Sequence, residues 1–157
     1  MKTLTYSLLI VFVLGLALAL PGAARASGYE TYSAPVDPDV VHAQKAIKDK
    51  NWDTAMELLK KAEARDPKNA DIYNLMGFTE RNRGNLDAAF KHYEQALALN
   101  PRHRGAHEYI GEAYLMTGNL PKAEEHLARL DKLCFFPCAE YKDLKAAIAK
   151  YKQEHPQ

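Results

Sequence analysis

Cys134 and Cys138, the only cysteines in the chain, sit with three residues between them in Cys134-Phe-Phe-Pro-Cys138. A thiol pair at that spacing admits three chemistries. Oxidised, it staples a turn and limits fraying of the element that follows. Reduced, it could be a redox couple, although this is not the CxxC that opens a helix in dithiol oxidoreductases. As two thiolates it suits Cu(I), but no histidine is close in sequence to add a ligand. The staple is the preferred reading, because no third cysteine competes and the N-terminus points to export into a compartment that can be oxidising.

Other groups come in pairs as well. His103 and His107 are four apart, which would place two imidazoles on one helical face. However, His103 falls at the turn before the helix, and nothing at ligand spacing completes a metal set. His92 and His126 are 34 residues apart. All four histidines are expected to be solvated, and His42, at an apolar phase, to be packed. Glu108 and Glu112 come nearest to a paired acid and read as a solvated acidic stripe or a contact for a basic peptide. The chain has no Ser/His/Asp order, glycine-rich phosphate loop or HExxH. No catalytic residue, metal or cofactor is therefore assigned, and the chain reads as a non-enzyme.

The elements that position these groups begin after a leader. Lys2, an apolar run from Leu4 to Leu20, Pro21-Gly22 and Ala24-Arg25-Ala26 have the order of a secretory signal cleaved after Ala26. The competing reading is a retained anchor, since the run approaches the roughly 20 residues of a spanning helix. Cleavage predicts a periplasmic or secreted chain with no membrane span. It also takes the formal charge from +1 to −1, because Lys2 and Arg25 leave with the leader. No basic surface then speaks for nucleic acid.

Beyond a flexible lead over residues 27–35, a 34-residue period takes over. Gly77, Gly84, Asn85, Leu86, Ala89, His92 and Leu99 recur downstream as Gly111, Gly118, Asn119, Leu120, Ala123, His126 and Leu133. Upstream, Asp37, Asn51, Asp53, Ala55, Ala62, Ala64 and Pro67 anticipate Asp71, Asn85, Asp87, Ala89, Ala96, Ala98 and Pro101. Small residues at fixed phases mark stacked helix pairs. The pattern predicts an all-α solenoid domain over 36–153, with repeats at about 36–69, 70–103 and 104–137, a capping helix at about 139–153 and a tail at 154–157. Asn51, Asn85 and Asn119 are placed to cap second helices, and Gly84 and Gly118 to end first ones. Trp52 holds the apolar phase of Leu86 and Leu120. The capping helix, with Tyr141 in the phase of Tyr73, reads as the first helix of an unfinished fourth repeat.

These phases resemble the tetratricopeptide repeat: Tyr73, Met76, Gly77, Ala89, Tyr93, Ala96 and Pro101 fall at its signature positions. The second repeat departs at Glu80, where an aromatic is usual. The first has Ala43 for the glycine, and the third has Leu130 for the last alanine and no closing proline. The resemblance implies a right-handed superhelix whose first helices line a groove for a peptide or an extended protein segment. The chain would then be an adaptor or scaffold in the cell envelope, with a thiol redox or copper-handling role for Cys134 and Cys138 as the alternative. Carried over by phase, the partner-binding residues are Gln44, Asp71, Asn74, Phe78, Arg81, Glu108, Glu112 and Leu115. The clamp that some members use for acidic C-terminal tails is not expected, because its phases hold Val40, Gln44, Leu75, Gly105 and Tyr109.

Overall fold

Asp37 and Pro38 open the first helix as a helix start should: the Asp37 carboxylate accepts from the Asp39 amide at 2.8 Å, and Pro38 takes a first-turn position that needs no N–H. The structure, a computed structural model, describes residues 37–156; the signal over 1–26 and the lead over 27–35 lie outside them. Seven helices follow in the described residues: α1 (Pro38–Lys48), α2 (Trp52–Arg65), α3 (Ala70–Asn82), α4 (Leu86–Leu99), α5 (Arg104–Met116), α6 (Leu120–Leu133) and α7 (Ala139–Glu154). The last runs a residue beyond the expected end.

Local chemistry sets the boundaries. Asn51, Asn69 and Asn119 accept from the amides of Thr54, Asp71 and Lys122 at the starts of α2, α3 and α6. Asn85 departs from that expectation. Its amide donates instead to Glu80 Oε2 at 2.6 Å, and Arg83 approaches the same carboxylate at 3.3 Å. Glu80 is buried, and a buried carboxylate needs donors more than the helix start needs an acceptor. Gly84 and Gly118 have φ of 85° and 76°, the left-handed turn that glycine adopts without strain. In the first repeat, Lys50 takes that turn at φ 56°.

Within each pair the helices pack antiparallel along small residues. A Cβ at Gly77 would lie 2.6 Å from the Tyr93 ring within the α3–α4 pair, and between pairs one at Gly111 of α5 would lie 2.7 Å from Leu144 of α7. The core runs along the stack from Val40, Met56, Leu59 and Met76, through Tyr93 and Ile110, to Leu130, Leu144 and Ile148. Leu144 and Ile148 pack α7 against the third repeat. Successive odd-numbered helices touch, α1 with α3, α3 with α5 and α5 with α7, whereas α2, α4 and α6 do not touch one another. The odd helices therefore form an inner layer. His42 is exposed rather than packed, because α1 turns Val40, Ala43 and Ala46 inward and His42 falls between those positions on the turn.

Candidate functional site

The inner surface is built from residues one helical turn apart on α3 and α5. Phe78 and Arg81 on α3 meet Tyr109 and Glu112 on α5, each pair spaced so that both side chains share a face. The Phe78 ring lies 5.0 Å from Tyr109, with Trp52 of α2 edge-on at 6.4 Å. The Arg81 guanidinium sits 5.3 Å from the Phe78 ring and 5.4 Å from Tyr109, and it closes an ion pair with Glu112. Two of the groove residues expected to meet a partner, Arg81 and Glu112, are thus already joined to each other. Phe78 remains half-buried on an aromatic platform that spans two repeats.

One turn before Glu112 lies Glu108, and it is no part of a solvated stripe. It is 8% exposed and has no hydrogen bond or ion pair among the described residues. Burial first, and then the charges of Glu112, Asp143 and Glu140, push its carboxyl up to about 7, with Arg81 opposing them. Asn74 holds the same phase one repeat earlier. It is also 8% exposed, and its Oδ1 has no partner. Its carboxamide reaches toward α5 at Gly105, where an added Cβ would meet Nδ2 at 3.3 Å. Gln44 and Asp71 are exposed and line an open cleft with Asn74 between α1 and α3. Asp71 Oδ1 is 2.9 Å from His103 Nε2, without hydrogen-bond alignment. Leu115 belongs elsewhere: it packs with Leu144 and Ile148 in the capping interface.

The histidines need the largest correction. His107 is 7% exposed and pairs with His126 of α6, not with His103. Its Nδ1 lies 2.9 Å from His126 Nδ1 and its Nε2 lies 3.1 Å from the Pro101 carbonyl. A carbonyl only accepts, so the assigned tautomer has His107 donating from Nε2 and accepting at Nδ1 from His126. Tyr114 stacks on His126 at 5.7 Å. Burial lowers both pKa values, that of His126 to about 4 with His107 as the second cause. His103 instead caps α5, accepting from the Ala106 amide at 3.1 Å. Periodicity placed His107 and His126 correctly along the chain, but not on the facing sides of α5 and α6.

Other contributors were legible only in part. Glu140 and Asp143 reach the inner surface from α7, whose phase as a fourth first helix was visible, although its residues were not read as groove-lining. Cys134 ends α6 and Cys138 precedes α7, with their sulfurs 2.04 Å apart. The turn between them leaves Phe135 94% and Phe136 76% exposed. Among the described residues no three His, Cys, Asp or Glu side chains gather as a metal site, and no helix is long and apolar enough to cross a membrane.

Residues 80–148 match the tetratricopeptide repeat family. The type III secretion translocator chaperone SycD of Yersinia enterocolitica superposes with a TM-score of 0.67 at 14% identity, over 76% of this chain and 84% of that one. In complex with a peptide of the translocator YopD, SycD gives 0.64 at 17% identity, over 80% and 95%. The second tetratricopeptide domain of human RPAP3, in complex with the HSP70 peptide SGPTIEEVD, gives 0.63 at 20% identity, over 73% and 92%. At these identities the likeness is one of fold. No curated protein matches the chain.

Proposed function

We propose that this chain, built of tetratricopeptide repeats, is a non-catalytic adaptor that holds an extended protein segment along its inner surface. The observation that carries this reading is the platform of Phe78, Tyr109 and Arg81, which leaves apolar ring surface half-exposed across two repeats. Half-exposed aromatics beside fixed polar groups are the usual anchors of protein recognition. Two solved neighbours of this fold, SycD and RPAP3, carry peptides. A photo-crosslinking residue introduced at Gln44 should trap partners that one at the outer-helix position Lys91 does not, and Phe78→Ala should reduce the yield. Identical partners and yields from both positions would sink the groove assignment.

The setting is the cell envelope, read from the leader that ends at Ala26; mass spectrometry of the mature chain should find Ser27 at its N-terminus. The Cys134/Cys138 pair is a staple between the end of α6 and the start of α7, not a redox or copper-binding pair. Thiol titration of the native protein should find no reactive thiol. A reducible pair that binds Cu(I) would revive the alternative.

A further inference from the structure

We infer that the segment bound on the inner surface inserts a basic side chain, lysine or arginine, between Asn74 of α3, Glu108 of α5 and Asp143 of α7. This rests on the adaptor reading and names the chemistry of the partner. Several buried polar side chains have partners: Glu80 receives Asn85 and Arg83, His107 is bonded at both ring nitrogens, and the Thr79 hydroxyl donates to the Leu75 carbonyl, whereas the Tyr93 hydroxyl and His103 Nε2 have none. On the inner surface Asn74 Oδ1 is a buried acceptor without a partner, and the largely buried Glu108 carboxyl makes no hydrogen bond among the described residues. Each is more than nine-tenths buried, and the Asn74 carboxamide lies against Gly105, one turn from Glu108 on α5.

The surrounding charge has the same sign. Arg81 is committed to Glu112 and Arg104 approaches Glu140 at 3.5 Å. Asp71, Glu108 and Asp143 are left without a lysine or arginine partner among the described residues. An ammonium or guanidinium group would give the orphaned acceptors their donors, and its aliphatic stem could lie along Tyr109. A metal ion fits poorly, since no third ligand joins the set. Burial, then Glu112, Asp143 and Glu140, against Arg81, push the Glu108 carboxyl up to about 7, so it is partly protonated near neutrality. Binding a cation should therefore draw off its proton.

Selection of phage-displayed random dodecapeptides on the immobilised protein at pH 8 tests this, followed by calorimetry with the enriched peptides. Enrichment of lysine or arginine at one fixed position is expected. Glu108→Gln should weaken those peptides at least tenfold while the helical spectrum is retained and the melting temperature does not fall. Wild-type affinity should rise severalfold from pH 6 to pH 8. Enriched peptides that lack a basic residue but lose binding on Phe78→Ala would overturn the cation and leave the adaptor standing. Basic peptides that bind Glu108→Gln as well as wild type would overturn it too. No enrichment at all would overturn both readings.

Discussion

Helix α5 carries buried titratable groups on two faces, and the structure treats them in opposite ways. Toward α6, His107 is bonded at both nitrogens, to Pro101 and to His126. Toward the inner surface its sequence neighbour Glu108 is as deeply buried but has no donor. Both environments disfavour charge, so the histidine pKa values fall and the glutamate pKa rises. The contrast separates architecture from function. A buried polar group with its bonds made stabilises the fold, whereas one without them costs stability and persists where something else supplies the missing donor.

Substitutions on the two faces should therefore move stability in opposite directions. His107→Ala has the largest expected effect, a loss of about 2–4 kcal/mol in urea unfolding at pH 7.5, because it leaves a cavity and unpairs Pro101 and His126. A loss below about 0.5 kcal/mol would mean that the pair is not structural.

Glu108→Gln should do the reverse, stabilising by about 1–3 kcal/mol at pH 8. The folded pKa of Glu108 lies above its unfolded value, so the cost of ionising it is absent below about pH 4.5 and complete above about pH 7. The advantage of the variant should accordingly vanish at pH 5. A destabilised variant at pH 8 would show that Glu108 makes a bond the structure lacks.

Acid tests the other face at about 1–2 kcal/mol. The histidine pKa values are lowered on folding, so their contribution is present above about pH 6.5 and is lost as pH falls toward 4. Wild type should lose stability over that window faster than His126→Gln, and parallel curves would remove the pair as the cause. The smallest effect, a few tenths of a kcal/mol, belongs to Asp143→Asn. Burial outranks Asp143 among the causes of the Glu108 shift, so carboxyl titration by NMR should move down only slightly. A return to the ordinary glutamate range would reverse that ranking.

The sequence by itself determined the period, the helix pairs, the caps at Asn51 and Asn119 though not that at Asn85, the glycine turns and the last helix. Each of these follows from chain-local chemistry: an amide oxygen three residues from a free N–H, a glycine at positive φ, a small residue every 34 positions. It also put the candidate groove residues on the first helices, since phase alone assigns a face. Tertiary structure decided which of them are spoken for. Arg81 and Glu112 are 31 residues apart and Glu108 and Asp143 are 35 apart, on separate helices. Only the stacking of α3, α5 and α7 shows that the first pair neutralises itself and the second lacks a cation. For the same reason the sequence pattern alone leaves His107 and His126 on the surface. Burial is a property of what lies opposite, and helical periodicity describes only one side of each contact.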